Sequence, residues 1–161
     1  MAYKIFIDGK EGTTGLKIFE RFANRNDIEI MQIDESKRKD VDERKKFINE
    51  SDFTFLCLPD DAARESVSLC TNPNTRIIDA STAHRTNPLW AYGFPELSDE
   101  FEEKIKNSKR IANPGCHASG FISLIYPLVE KGVLSEDVLL ACHSLTGYSG
   151  GGNKMIGEYE S

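Results

Sequence analysis

A run of strand-type residues at Tyr3–Asp8 breaks into GKEGTTG, after which Leu16, Ile18, Phe19 and Phe22 recur at near-helical spacing. That order, strand then glycine turn then helix, constrains the fold more than any other feature of the chain. It opens a βαβ unit, and the alternation continues. Ile28–Ile33 reads as a second strand ending at Asp34, Val41–Glu50 as a helix, and Phe53–Leu58 as a strand. A helix over Ala62–Leu69 follows, opened by Pro59-Asp60-Asp61, and then a strand at Arg76–Asp79. Phe53–Leu58 is apolar throughout, as expected of a strand covered on both faces. Strands alternating with helices imply a parallel sheet.

Residues 84–97 are rich in turn formers and are expected to be irregular. Ser98–Asn107 reads as a helix whose glutamates and lysines form a solvated face. A short strand begins at Ile111, Cys116–Lys131 is a helix with an apolar face, and Asp137–Thr146 reads as a further strand leading into GYSGGG. A strand, a glycine loop and a short tail make only part of a domain. A first domain over 1–136 and the start of a second over 137–161 are therefore expected.

The composition narrows the function classes. Among 161 residues, 39% are hydrophobic and 29% charged, which fits a globular chain with a core. The net charge of −6 argues against nucleic-acid binding, which needs a basic face. No apolar run approaches the roughly 20 residues that span a bilayer, so no membrane partner is expected. MAYKIFIDG reads as a first strand and not as a signal peptide, which points to the cytoplasm. The four cysteines include no CxxC pair, and no two of the three histidines have metal-ligand spacing, so no metal is expected.

Gly9, Gly12 and Gly15 stand between the first strand and the first helix. Glycines there let the backbone turn sharply and approach a pyrophosphate, whose charge would face the helix N-terminus. Thr13 and Thr14 add donors. A tight structural turn would satisfy the same spacing, because GxxGxxG is not the common GxGxxG fingerprint. At the end of the second strand, Ser36 and Arg38 are candidates for a 2′-phosphate. A solvated charged loop is the alternative reading, and Asp34 is a counter-signal because its charge would repel a phosphate.

Asn113-Pro114-Gly115-Cys116 leads into the helix at 116–131. A thiol at a helix start is favoured as thiolate by the dipole and the unpaired N–H groups, which makes Cys116 a candidate nucleophile. A buried structural cysteine is the competing reading. It is the preferred one for Cys57, Cys70 and Cys142. His117 follows Cys116 directly, and adjacent residues on a helix do not face each other. Arg85, in the polar DASTAHR segment after the fourth strand, is the local candidate for an anionic substrate group; a surface loop explains it equally.

Six segments in order, GKEGTTG, FLCLPDDAA, IDASTAHR, YGFPEL, NPGCHASG and GYSGGG, resemble the N-acetyl-gamma-glutamyl-phosphate reductases in their shorter, type 2 form. The resemblance implies an α/β fold: a Rossmann-like NAD(P)-binding domain with a parallel sheet, plus the beginning of an incomplete second α+β domain. It implies NADPH-dependent reduction of N-acetyl-glutamyl 5-phosphate to N-acetylglutamate 5-semialdehyde, with phosphate release, in arginine biosynthesis. Carried over by position, Cys116 resembles the nucleophile, Gly9–Gly15 the pyrophosphate loop, and Ser36 and Arg38 the 2′-phosphate contacts. Cys57, Leu58 and Pro59 would line the cofactor groove. Ser81, Arg85, Asn113 and the loop from Ser149 through Gly150 to Gly152 would surround nicotinamide or substrate.

The family's second domain, with a catalytic histidine and most of the subunit interface, extends well beyond 161 residues. The expected chain is therefore a fragment that binds NADP(H) but turns over little acyl phosphate, and the complete protein is expected to be a homo-oligomer. Two rival readings are a related acyl-phosphate reductase of lysine biosynthesis and a non-catalytic dinucleotide-binding module.

Overall fold

The structure is a computed structural model. It describes residues 2–10 and 12–161, with Thr13, Ser149, Gly152, Asn153 and Lys154 described by backbone only. The chain divides into two compact units, Met1–Gly115 and Cys116–Ser161.

The first unit is built on six parallel strands. These are β1 (Tyr3–Asp8), β2 (Ile28–Met31), β3 (Phe53–Leu56), β4 (Arg76–Asp79), β5 (Ala91–Tyr92) and β6 (Arg110–Ala112). Their order in the sheet is β2-β1-β3-β4-β6-β5, and every pairing is parallel. Parallel neighbours need crossovers. Helices α1 (Thr13–Phe22), α2 (Val41–Glu50) and α3 (Asp60–Leu69) supply the first three, and α4 (Asp99–Asn107) links β5 to β6. The chain moves from β1 outward to β2 and then crosses to β3 on the other side of β1. This reversal opens a crevice beyond the C-terminal ends of β1 and β3, where ligands bind in open parallel sheets.

Side-chain alternation assigns the helices to faces. Phe6 and Asp8 share one face of β1. Phe6 meets Phe47 of α2 at a ring-centroid distance of 5.4 Å, and Asp8 meets Arg44 of the same helix. On the other face, Phe55 of β3 meets Phe22 of α1 at 5.6 Å. Ile5, Phe6, Ile7, Leu56, Ile77 and Ile48 are all buried, and Leu56, Ala63 and Ile77 form a core cluster between the sheet and α3.

The helices end where local chemistry stops them. Asp40 caps α2 by accepting from Asp42 N at 3.0 Å and Glu43 N at 2.9 Å. α1 begins at Gly12 with no side-chain cap and no acidic residue in its first turn.

The second unit contains α5 (Cys116–Glu130), a 3₁₀ turn at Tyr148–Gly151 and α6 (Gly152–Glu160). α5 ends where Gly132 takes φ of +67° and Val133 N donates to Leu128 O at 2.8 Å. The strand expected over Asp137–Thr146 does not form: residues 138–147 carry no regular secondary structure. A strand exists only when a neighbour accepts and supplies its ladder hydrogen bonds, and no described strand pairs with this segment. α6 had no counterpart in the sequence reading. In the first unit, residues 84–97 contain β5 and a 3₁₀ turn at Pro95–Leu97, which adds an edge strand to the expected irregular stretch. No described helix is long and apolar enough to cross a membrane.

Candidate active site

The turn after β1 is shaped by close approach to β3. Gly9 takes φ of +87°, and a Cβ there would lie 2.3 Å from Cys57 O. Only glycine avoids both the left-handed strain and the collision. Cys57 N in turn donates to Asp8 O at 2.8 Å, so the two strand ends are tied where the crevice opens. Gly12 is the N-cap of α1, Gly15 is buried in its first turn, and Thr14 is exposed. The Thr13 side chain lies outside the described residues. With no capping side chain at Gly12 and no acid in the first turn, the initial N–H groups of α1 find no side-chain acceptor among the described residues. That donor set suits a pyrophosphate.

Cys57, Leu58 and Pro59 follow β3 on the other wall of this crevice. Pro59 is the N-cap of α3, and Leu58 packs against the core cluster. Burial first, then the carboxylates of Asp8 and Asp79, push the Cys57 thiol up to about 12. It is a neutral thiol at physiological pH and no nucleophile.

At the end of β2, Asp34 caps a 3₁₀ turn at Glu35–Lys37. Its Oδ1 accepts from Ser36 N at 2.9 Å and from Ser36 Oγ at 2.5 Å. The Ser36 hydroxyl bond is the main reason the Asp34 carboxyl sits below its usual range. Ser36 therefore offers its hydroxyl proton to Asp34 and keeps only lone pairs for anything else. Arg38 is exposed and has no ion-pair partner among the described residues.

The end of β4 carries a buried polar network. Asp79 is completely buried; its Oδ1 accepts from Ser81 N at 2.9 Å, and its Oδ2 accepts from Ser81 Oγ at 2.7 Å and from His84 Nδ1 at 2.6 Å. The contact at Asp79 Oδ2 is a hydrogen bond from the imidazole in the tautomer that carries its proton on Nδ1. The imidazole stacks on Trp90 with ring centroids 4.1 Å apart. Ser81 is thus engaged inside the fold.

The same loop delivers Arg85, whose Nε donates to Asn113 O at 3.0 Å and Nη2 to Ala80 O at 3.0 Å. Among the described residues no carboxylate lies within ion-pair distance of it; Asp60, held below its usual range first by the Thr82 hydroxyl, feels its charge only as a lesser cause. A Cβ on Gly115 would stand 2.6 Å from Arg85 Nη1, so the bare glycine admits the guanidinium. Asn113 N donates to Asp79 O at 2.8 Å, which links the two segments again through backbone. Arg85, Asn113 and Gly115 are thereby brought together within the first unit.

Sequence reading missed a second buried charge network. Arg44 donates through Nε and Nη2 to Asp8 Oδ2 at 3.3 and 3.2 Å, and Ser66 Oγ donates to the same oxygen at 2.8 Å. Arg44 also donates through Nη1 to Glu65 at 2.9 Å. Arg44 lies in a helix crowded with charges, and no local signal separates it from its solvated neighbours.

In the second unit, Cys116 is the first residue of α5 and is exposed. It lines a groove of about 600 Å³ together with His117, Phe121, Ile125, Cys142 and Gly150. Both ring nitrogens of His117 are bound by hydroxyls, Nδ1 by Ser144 and Nε2 by Thr146, the latter at 2.5 Å. Gly150 N donates to Gly147 O at 2.9 Å, closing the turn of the glycine loop. The Ser149 side chain lies outside the described residues. Among the described residues no three histidines, cysteines or carboxylates gather as a metal site.

Known proteins match this architecture. The family model "Semialdehyde dehydrogenase, NAD binding domain" matches residues 15–108. The N-acetyl-gamma-glutamyl-phosphate reductase of Chelativorans sp. (strain BNC1) is 53% identical over 99% of this chain and 52% of its own length. The N-acetyl-gamma-glutamyl-phosphate reductase 2 of Nostoc sp. (strain PCC 7120) is 50% identical over 98% of this chain and 49% of its own. The chain thus spans about half the length of the curated relatives it matches. Among solved structures, the aspartate semialdehyde dehydrogenase of Francisella tularensis superposes with a TM-score of 0.67 at 16% identity, covering 98% of this chain and 48% of that one. The aspartate semialdehyde dehydrogenase II of Vibrio cholerae, complexed with ASA, gives 0.66 at 13%, covering 99% and 51%. At such identities the structural matches speak for the fold. The parallel sheet, the glycine turn at its reversal point and the family match over more than half the chain lead to one conclusion: the chain belongs to the semialdehyde dehydrogenase family, whose NAD-binding domain it carries.

Proposed function

We propose that the chain carries the NADPH-binding, nucleophile-bearing part of an N-acetyl-gamma-glutamyl-phosphate reductase. The reaction is reduction of N-acetylglutamyl 5-phosphate to N-acetylglutamate 5-semialdehyde with loss of phosphate. The observation that carries this reading is 53% identity to a reductase of that name across 99% of the chain. In this reading residues 1–136 are the nucleotide-binding domain, α5 included, and 137–161 begin the substrate domain. The complete protein is a cytosolic homo-oligomer.

The Cys116 thiolate attacks the acyl carbon; the bond from that carbon to the phosphate oxygen breaks, and phosphate leaves with the electron pair. The product is a thioester on Sγ. NADPH, when bound, supplies the hydride that reduces this acyl carbon. The carbon–sulfur bond then breaks, its electrons return to Sγ, and the aldehyde is released. Covalent catalysis divides one difficult displacement into two easier steps.

The N–H groups at the start of α5 are the local donors for the developing oxyanion. Gly9–Gly15 and the uncapped start of α1 hold the pyrophosphate. Cys57, Leu58 and Pro59 wall the groove, and Arg38 faces the 2′-phosphate; Ser36 would join it only by releasing its hydroxyl from Asp34. Arg85, fixed by the Asn113 and Ala80 carbonyls and without a carboxylate partner, receives an anionic group of the substrate.

The test is direct. The chain is incubated with N-acetylglutamyl phosphate and no nucleotide, then analysed by intact and peptide mass spectrometry. An acyl adduct on Cys116, absent from Cys116→Ala, is expected. An adduct on another residue, or none in the complete protein either, would sink the proposal.

A further inference from the structure

In a Rossmann-type unit the ribose of the adenosine lies beyond the end of the second strand, and charge there separates NADP from NAD. Around that point the chain sets three groups from two segments: Gln32 and the Asp34 carboxylate directly after β2, and Lys10 from the glycine turn. Lys10 Nζ lies 4.3 Å from the centre of the Phe19 ring and donates to Gln32 Oε1 at 3.3 Å. An ammonium has three donors; Gln32 takes one, and an aromatic face attracts the cation without cancelling its charge. Among the described residues no carboxylate pairs with Lys10. The neighbouring groups are otherwise committed. Ser36 gives its N–H and O–H to Asp34, and Lys37 is paired with Glu43 at 3.2 Å.

We infer that Lys10 is the specificity-determining residue that makes this site favour NADP over NAD, by presenting a prearranged cation to the 2′-phosphate against the repulsion of Asp34. The inference rests on the NADP reading above and adds a residue which that reading did not include. Phe19 and Gln32 hold the side chain before the nucleotide arrives, so less rotamer freedom is lost on binding than for a free lysine. Arg38, exposed and without an ion-pair partner among the described residues, is the secondary cation.

Dissociation constants of NADP⁺ and NAD⁺ are measured by calorimetry on the wild-type chain and on Lys10→Met, Lys10→Gln, Arg38→Met and Phe19→Leu, each checked for folding by circular dichroism. Both Lys10 variants are expected to weaken NADP⁺ about tenfold or more, which is about 1.4 kcal/mol, and to leave NAD⁺ within about twofold. Phe19→Leu should weaken NADP⁺ in the same direction by less. Added salt should narrow the wild-type preference and barely move that of Lys10→Met. An equal loss for both nucleotides would make Lys10 a loop anchor and overturn the inference. So would a preference that moves only with Arg38→Met. If the folded wild-type chain binds neither nucleotide, the cofactor reading falls as well. Failure of Cys116 to form an adduct leaves this preference untouched.

Discussion

The two units of the chain use apolar residues in opposite ways. In Met1–Gly115, Phe6, Leu56 and Ile77 are almost completely buried, and even the charged pair Asp8 and Arg44 is enclosed. In Cys116–Ser161, Leu139 and Leu145 are 97% and 99% exposed, and Leu124, Val133 and Tyr159 also face outward. Composition does not explain the contrast, since α5 is the most apolar helix of the chain and has no buried residue. A parallel sheet covered by helices encloses its own core. In Cys116–Ser161 neither the segment 138–147 nor α6 covers α5 deeply enough to bury any of its residues.

The largest expected effect sharpens that contrast. On the proposed reading of Cys116 as covalent nucleophile, Cys116→Ala in the complete protein should lower reductase turnover by at least about 10³-fold, while the melting temperature hardly moves because the residue is exposed. A drop in melting temperature comparable to that of a core variant would break the comparison.

Next come the enclosed residues. Phe6→Ala should destabilise the first unit by about 3–5 kcal/mol in urea unfolding, through lost burial and the cavity left behind. Arg44→Met should cost about as much, because it leaves the Asp8 carboxylate buried without its cation. A loss under about 1 kcal/mol would mean that water reaches Asp8.

Thiol chemistry separates the units at an intermediate level. Under native conditions, iodoacetamide should modify Cys116 and Cys142 first. Cys57 should stay protected until unfolding, being part-buried and a neutral thiol with its pKa pushed up to about 12. The sign for stability follows from the same shift. The folded state holds the proton more tightly than an unfolded thiol with a pKa near 9.0, so the Cys57 contribution is complete below pH 9 and is lost as pH rises toward 12. Cys57→Ala should flatten this alkaline arm in pH-dependent unfolding; an unchanged arm would discount it.

The smallest effect is expected on the exposed side. Leu139→Ser and Leu145→Ser should change unfolding free energy by no more than about 0.5 kcal/mol. A large loss would show that these leucines are packed in solution.

Much of the first unit is legible in the chain itself. Tyr3–Asp8, Val41–Glu50 and Arg76–Asp79 form as read, and the helix at Cys116 starts where expected. The glycine turn announces the crevice because φ near +87° and a 2.3 Å approach leave room for no other residue. Arg85 was visible as a candidate. Its carbonyl partner on Asn113 was not, because that residue is 28 positions away. The commitment of the Ser36 hydroxyl to Asp34 was equally hidden: proximity in sequence did not say which of two polar groups would capture the other.

Local patterning determined α1 to α5, whose hydrogen bonds close within four residues, and the alternation that makes the sheet parallel. Tertiary structure decided which polar side chains were enclosed, since the partners of Arg44 come from strands and helices far along the chain. It also decided that Asp137–Thr146 stays without a ladder. A helix carries its own backbone partners in its sequence; a strand or a buried charge borrows them from elsewhere in the fold.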